Sequence, residues 1–311
     1  MYKTNMVSDW GKTDESSDKS AFFLLGIVVV LWGLNSVAIK YLTQFFPPLA
    51  LAPIRLTLAA ALLFPTVIYQ YGWVKIPAAA WLPISGISLF CIFLHQIALT
   101  WGISATSGIH AVLILGLSPL FTTLLSALFL KEAFTGTKGV GILIGFCGLL
   151  FIVAGKAQGG ASLWGDSVTC IATITFVIGS LFVKQATTYV SPLHVTAYSH
   201  VLAAVGLDIL GLFSQAQWTY GKDVSFSVIA VLLFSSFFST ALGALLWNMS
   251  IQKVGASRAS FFQNASPVVG VFASAFFLGE QLYLNHLYAL LLVLLGVSFG
   301  AGLIKKPTWL S

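Results

Sequence analysis

The sequence predicts an all-α membrane protein in which ten transmembrane helices form two inverted five-helix repeats around a central cavity. Composition, long apolar runs and an internal repeat support this prediction. Hydrophobic residues occupy 58% of the 311 positions and charged residues only 8%, whereas soluble domains carry roughly a quarter charged residues. The mean hydropathy is +0.95. This composition excludes a water-soluble protein.

Apolar runs long enough to cross a hydrocarbon layer of about 30 Å recur along the whole chain. Backbone polar groups in lipid must be hydrogen-bonded within the segment, so each run is predicted to be a helix. The period-two alternation of a membrane barrel is absent. The predicted helices 1 to 10 span residues 21–43, 50–69, 81–101, 106–130, 137–155, 165–187, 193–213, 225–250, 257–278 and 285–304.

An internal repeat relates the two halves of the chain. Pro119 precedes Glu132 across an apolar run, and Pro267 precedes Glu280 in the same way, so a shift of 148 residues superposes both pairs. Because each copy holds five helices, an odd number, the second copy enters the membrane from the opposite side. Inverted copies give a transporter its outward-open and inward-open states, and this duplication is the main argument for transport.

The repeat and the polar stretches between helices divide the chain into five parts. They are a polar cytoplasmic tail (1–20), the first repeat (21–155), a linker (156–164), the second repeat (165–304) and a short cytoplasmic tail (305–311).

The net charge of +6 follows from topology. With the N-terminus in the cytoplasm, eleven Lys and Arg residues fall on the cytoplasmic side, and only Lys40, Lys156 and Lys222 fall on the other. This positive-inside bias predicts a cell (inner) membrane protein with both termini cytoplasmic, and the basic balance then gives no reason to expect nucleic acid. The three cysteines are isolated from one another, and we expect neither a metal nor a cofactor.

Four segments resemble the drug/metabolite transporter superfamily, in particular its EamA-type ten-helix branch. They are WGLNSVAIK, LAPIRLTLAAALL, SPLFTTLLSALFLKEAFTGTKGVGILIGFCGLLFI and SPVVGVFASAFFLGEQLYLNHLYALLLVLLGVSFG. The resemblance covers residues 21–304 and implies export of amino acids, other small metabolites or toxic compounds. Helix 6 departs from it, since Phe176 and Val177 stand where helix 1 has Trp32 and Gly33.

Amide and aromatic side chains gather at one level of helices 8 and 9 and recur in helix 1. Amides in lipid are costly unless they face one another, water or a ligand, and they can both donate and accept hydrogen bonds. Aromatic rings around a few polar groups are typical of small-molecule sites. The predicted substrate-binding residues here are Trp32, Asn35, Trp247, Asn248, Gln263 and Asn264.

Two histidines, His95 and His110, lie at similar depth on either side of the turn between helices 3 and 4. Together they could bind substrate or pass a proton if they face the same side. The alternative is that each is only a hydrogen-bond tie between helices.

The repeated Pro and Glu residues have two interpretations each. Pro119 and Pro267, placed in the middle of helices 4 and 9, are predicted hinges beside the cavity, or fixed kinks. Glu132 and Glu280 are interpreted as carboxylates near the starts of helices 5 and 10, where the helix dipole favours negative charge. A gate or proton site is the alternative.

Arg55 and Asp208 are the clearest intramembrane charges. Three arrangements stay open: an ion pair between the two halves, snorkelling to the membrane surface, and a proton-coupling role for Asp208.

We therefore expect a secondary transporter rather than an enzyme, working by alternating access on a small-molecule substrate, with protons as a coupling ion through His95, His110 or Asp208. A carrier of phosphorylated or nucleotide-linked sugars is the alternative, and it would need Lys40 and Lys184 in the cavity. An intramembrane lipid-modifying enzyme is a remote one. Glycine pairs in helices 5 and 10 allow close packing within each half or dimerisation, so a monomer and a weak homodimer both remain open.

Overall fold

The computed structural model describes residues 15–129, 135–154, 161–213, 218–263 and 265–300, and its regular secondary structure is entirely helical there. Eight of the described helices are long and apolar enough to cross a membrane, and two shorter apolar helices, Gly136–Phe151 and Leu284–Phe299, accompany them. The predicted all-α, multi-pass membrane architecture agrees with this.

The helices follow the predicted order, and two of them are divided into halves. They are α1 (Glu15–Leu42), α2 (Pro48–Tyr71), α3 (Ala78–Ala105), α4a (Gly108–Leu115), α4b (Ser118–Phe129), α5 (Gly136–Ala154), α6 (Leu163–Ala186), α7 (Pro192–Phe213), α8 (Phe226–Val254), α9a (Ala256–Phe262), α9b (Ala265–Leu278) and α10 (Leu284–Gly300).

The fourth and ninth helices are broken rather than kinked, so the expected placement of both prolines inside continuous helices is wrong. Pro119 is the second residue of α4b and Pro267 the third residue of α9b. Backbone N–H groups in the first turn of a helix have no intrahelical acceptor. Proline, which lacks an N–H, therefore loses no hydrogen bond there and is favoured. The hinge role stays a prediction.

Helices α3 and α8 each contain a π-helical segment, Ile87–Leu94 and Phe234–Leu242. The two segments begin 147 residues apart, close to the shift that superposes the sequence repeat. A π segment, with hydrogen bonds from residue i to i+5, widens the helix and turns different side chains inward. Both segments border the centre of the molecule.

Helices α2 and α7, which occupy equivalent places in the two sequence copies, pack side by side in opposite directions. A Cβ built on Gly211, near the end of α7, would contact Leu49 and Pro53 near the start of α2. At the other end, the ring of Tyr71 lies 4.8 Å from that of His194. The beginning of one helix therefore meets the end of the other.

Helices α5 and α10, also equivalent in the repeat, pack antiparallel through glycine. A Cβ on Gly296 would lie 2.5 Å from the backbone N of Gly145 and 2.7 Å from the carbonyl O of Gly141, whereas Gly148 faces Ala289. The glycines thus bring the two halves of one chain together, and the expectation of packing within each half is wrong.

The remaining helices surround the centre by crossing between halves. Helix α1 packs on α8 and α9b of the second half, and α6 packs on α3 and α4b of the first. The two broken helices meet where a Cβ on Gly116 would come within 2.4 Å of the Pro267 ring. This arrangement leaves a cavity at the junction of the halves.

Candidate functional site

The central cavity has a volume of about 120 Å³ and lies between helices from both halves. One water molecule needs roughly 10–15 Å³ on such a measure, so the space suits a solute of several heavy atoms. The sequence-predicted residues that line it are Trp32, Asn35, His95, Trp247, Asn248, Gln263 and Pro267. Whether they bind substrate stays a prediction, and Asn264 lies outside the described residues.

Three aromatic rings form one wall of the cavity. The Trp32 ring lies 5.5 Å from Phe176, edge to face, and 5.3 Å from Trp247, while Phe176 and Trp247 are 5.8 Å apart. The indole N–H of Trp32 donates to the backbone oxygen of Ser239 over 3.1 Å, which fixes the ring. Phe176, the departure from the family pattern, therefore packs against its counterpart Trp32.

The helix breaks supply polar groups to the floor of the cavity. Ser118 lines the cavity and donates its hydroxyl to the backbone oxygen of Leu115 over 2.6 Å, a carbonyl left free where α4a ends. Ser266, at the second break, also lines the cavity and donates to the backbone oxygen of Val29 over 3.2 Å. At the first break, the Ser118 hydroxyl thus satisfies a backbone carbonyl that the lipid could not.

Two buried polar atoms in the cavity wall have no hydrogen-bond partner among the residues that the structure describes. They are the indole nitrogen of Trp247 and the side-chain oxygen of Gln263. Because unpaired buried polar groups are costly, one donor and one acceptor remain available to a bound solute. Asn248 is already engaged, since its Nδ2 donates to the Thr196 hydroxyl over 2.9 Å.

Arg55 is fully buried and faces the interior. Its guanidinium donates to Ser235 Oγ at 2.7 Å, Gln96 Oε1 at 3.0 Å and Thr240 Oγ1 at 2.9 Å. Because the Arg55 side chain is completely buried, it does not extend along α2 to the membrane surface, and the snorkelling arrangement is wrong.

The arrangement with an ion pair between Arg55 and Asp208 is also wrong. The carboxylate of Asp208 instead accepts from the hydroxyl of Thr57, at 3.1 and 2.9 Å, on an exposed face between α2 and α7. The two charges point to different sides of α2. Asp208 is not among the cavity-lining residues, and its coupling role stays a prediction.

Sequence reasoning missed Gln96 and Thr240, which line the cavity and bind Arg55. The residues at 235 and 240 are both aligned on Arg55 because they lie five apart in the π segment of α8, where Thr240 Oγ1 donates to the Ser235 carbonyl over 2.8 Å. No sequence pattern indicates a π segment, so this alignment had no sequence signal.

His110 is not among the cavity-lining residues, whereas His95 is, so the condition that both histidines face the same side is not met. His110 is 3% exposed and its Nδ1 lies 3.1 Å from an Asp166 oxygen. The Nδ1 of His95 instead lies 2.8 Å from the carbonyl oxygen of Ala172. Thr106 donates its hydroxyl to the same Asp166 carboxylate, which ties the α3–α4 turn to α6.

Glu280 joins the same end of the bundle. Its two carboxylate oxygens accept from the backbone N–H groups of Gly108 at 2.6 Å and Ile109 at 2.9 Å. It therefore caps the start of α4a, and the expectation that it serves α10 is wrong, although the dipole argument holds. Lys40 Nζ donates to the backbone oxygens of Ile103 and Thr106. Glu132 lies outside the described residues.

We call the residues that tie the α3–α4 turn to its neighbours the turn cluster. The turn cluster consists of Lys40, Thr106, His110, Asp166 and Glu280.

A family model described as the EamA-like transporter family matches residues 19–154 and again residues 163–300. The chain belongs to the EamA-like transporter family. Each match covers one of the two copies seen in the sequence. Membership makes the protein a membrane transporter by family rather than an enzyme.

Two relatives illustrate what this EamA-like transporter resembles. An uncharacterized transporter of Archaeoglobus fulgidus is 32% identical over 89% of this chain and 96% of its own length. A probable amino-acid metabolite efflux pump of Salmonella typhimurium is 28% identical over 88% of this chain and 92% of its own. A solved crystal structure shares the fold with a TM-score of 0.67 at 18% identity, over 92% of this chain and 99% of the other.

Proposed function

We propose that this protein is a secondary transporter that moves small metabolites by alternating access and exports amino acids or related compounds. The central cavity carries the proposal, because it lies between the two halves and combines an aromatic wall with an unpaired donor and acceptor. The similarity to the Salmonella relative, a probable amino-acid metabolite efflux pump, supports the substrate class.

The antiparallel packing of equivalent helices supports ten spans arranged as two inverted repeats. Helices α2 and α7 run in opposite directions, as do α5 and α10. Copies related in this way can exchange conformations, which is how inverted repeats generate two access states.

The two equivalent turns of the bundle differ in burial, which supports a closed and an open end. In the α3–α4 turn, Thr106 and Ser107 are buried, whereas Val254 and Gly255 in the α8–α9 turn are half-buried and Arg258 is exposed. The positive-inside bias assigns the first turn to the outside. We therefore infer an inward-open state that the turn cluster closes toward the outside.

The sugar-phosphate alternative draws no support from the lysines. Lys184 donates to the backbone oxygen of Gln252 over 2.6 Å, and Lys40 is held by carbonyls of the α3–α4 turn. Both lysines lie at the ends of the bundle, outside the cavity lining. A phosphate inside the cavity would lack the paired cations that it needs.

Counterflow in proteoliposomes tests the transport proposal. Vesicles preloaded with an unlabelled amino acid should accumulate the same labelled compound, and Trp32→Ala, Gln263→Ala or Asn264→Ala should reduce the rate by about tenfold, since each removes a contact worth roughly 1–2 kcal/mol. Trp101→Ala and Gln185→Ala are matched controls on exposed positions, and both should transport normally. Equal rates for cavity and control variants would remove these residues from the site.

Proton coupling is tested with a pH gradient across the same vesicles. If protons drive export, His95→Gln, His110→Gln or Asp208→Asn should abolish the response to the gradient. Asp208→Asn, which lies outside the cavity lining, should leave counterflow without a gradient unchanged. A response retained in all three variants would remove these groups from coupling.

A further inference from the structure

We propose that Arg55 turns one wall of the cavity into a carboxylate-binding surface, in which Asn35 Nδ2 and Gln96 Nε2 donate to the carboxylate of the substrate. The substrates would then be small carboxylic acids, amino acids included. This inference rests on the transport function proposed above and names the group that the site selects.

Arg55 fixes the direction of a hydrogen-bond chain that ends in the cavity. A guanidinium can only donate, so Ser235 Oγ must accept from Arg55 Nε at 2.7 Å. The Ser235 hydroxyl then gives its proton to Asn35 Oδ1 at 2.6 Å. Because the Asn35 oxygen is used, its Nδ2 group is left to donate, and Asn35 lines the cavity.

Gln96 is oriented in the same way by direct contact. Its Oε1 accepts from Arg55 Nη1 at 3.0 Å, so its Nε2 group faces away from the cation and is left to donate. Gln96, like Asn35, lines the cavity. Two side-chain amides therefore present N–H groups to the same space. Gln96 cannot flip without directing its amide N–H toward the guanidinium, which can only donate, and Asn35 keeps its oxygen toward Ser235 because the Ser235 hydroxyl donates to it.

The charge of Arg55 has no counter-ion in the part of the chain that the structure describes. Its three partners are neutral oxygens, and Asp166, Asp208, Asp223 and Glu280, the acidic residues whose side chains the structure describes, lie outside the cavity lining. A fully buried cation without a partner charge is costly, by several kcal/mol. A carboxylate bound to Asn35 and Gln96 supplies the missing negative charge, separated from the Arg55 guanidinium by these side chains and Ser235. The low-polarity surroundings strengthen the attraction between the two charges.

Other residues of the cavity lining suit the remainder of such a molecule. Gln263 offers a buried Oε1, without a partner among the residues that the structure describes, that can accept from an ammonium or hydroxyl group. The rings of Trp32, Phe176 and Trp247 cover an apolar side chain or the face of a cation. None of these groups carries a negative charge, so none of them repels the carboxylate of the substrate.

Matched pairs of amino acids and their amides test the proposal in proteoliposomes containing the full-length protein. The probes are L-threonine with L-threoninamide and L-phenylalanine with L-phenylalaninamide, and N-acetyl-L-threonine retains the carboxylate without the ammonium. The wild type should take up each carboxylate with a KM lower than that of its amide by roughly tenfold or more, since hydrogen bonds to charged groups are the strong ones.

The variants assign the preference to the proposed wall. Gln96→Leu and Asn35→Leu keep side-chain volume without the donor, and each should reduce the carboxylate-to-amide preference by roughly tenfold. Arg55→Met should abolish the preference. Thr66→Val is the control, because the hydroxyl of Thr66 donates to the carbonyl of Leu62 in its own helix, α2, and both residues lie outside the cavity lining.

Each outcome bears on one proposal or on both. Saturable uptake with equal KM values for acids and amides would overturn the carboxylate site and leave transport intact. A preference that survives in Gln96→Leu and Asn35→Leu would overturn the assigned wall, even if Arg55→Met fails to fold. No saturable uptake of any probe would overturn the proposed function and the site that rests on it.

Discussion

Asp166 holds side chains from two neighbouring segments at one end of the bundle. It is 3% exposed, accepts from the Thr106 hydroxyl and lies 3.1 Å from His110 Nδ1. A buried carboxylate needs such partners, because losing them costs more than any single bond contributes. If the halves rock to open this end, the turn cluster must separate, so Asp166 sets part of the equilibrium between the two states.

Asp166→Asn should shift that equilibrium toward the outward-open state. One charge-assisted hydrogen bond of about 1.5–3 kcal/mol corresponds to a population change of roughly tenfold to a hundredfold. In a cysteine-free background with Ser36→Cys in the cavity wall, a membrane-impermeant maleimide added outside should label the Asp166→Asn variant faster than its parent. Asp223→Asn, on an exposed loop, is the control. Unchanged labelling would contradict the role of the cluster.

At the residue scale, the sequence indicates polar and aromatic residues whose type is unusual for lipid. Amides and indoles are conspicuous in apolar runs, and three such residues, Trp32, Trp247 and Gln263, line the cavity, whereas their role in binding stays a prediction. Which side of its helix Arg55 faces depends on packing between distant segments, 180 residues apart in the case of Ser235. No local pattern carries that information.

At the scale of elements, the two broken helices meet at the cavity floor. Their halves must be able to move relative to each other if they act as hinges, and the close approach of Gly116 to Pro267 leaves no space for a side chain. The helix spans were predictable from the length of the apolar runs, but the breaks were not. A proline in the first turn of a new helix and a proline that kinks a continuous helix give the same sequence pattern.

Gly116→Ala should reduce transport several-fold and lower thermal stability. The new methyl group would lie 2.4 Å from Pro267 Cγ, and overpacking of this kind typically costs about 1–3 kcal/mol. Gly26→Ala is the matched control, since nothing lies within 4 Å of its Cβ position in α1, where alanine favours the helix by roughly 0.5–1 kcal/mol. Thermal unfolding and counterflow of both variants check this, and equal behaviour would remove the tight contact from the mechanism.

At the scale of the whole molecule, the sequence repeat predicted which helices are equivalent, and packing supplies their relative direction. Contacts of Gly211 with Leu49 and of Gly296 with Gly145 place equivalent helices antiparallel. From the sequence alone, inversion follows only from an odd number of helices in each copy. One missed helix would make that number even and would predict copies with the same orientation. The contacts give an independent reason, because an antiparallel pair of equivalent helices needs copies that enter the membrane from opposite sides.

The loop after α2 and the loop after α7 should therefore lie on opposite sides of the membrane. Lys75 and Lys222 are exposed in these loops, and the charge bias assigns Lys75 to the cytoplasm and Lys222 to the outside. In a cysteine-free background, an impermeant maleimide added to intact cells should label Lys222→Cys and spare Lys75→Cys until the cells are lysed. Labelling of both in intact cells, or of neither, would place the two loops on one side and contradict the inverted repeat. Labelling of Lys75→Cys alone would keep the inversion but reverse the orientation, and with it the assignment of the turn cluster to the outside.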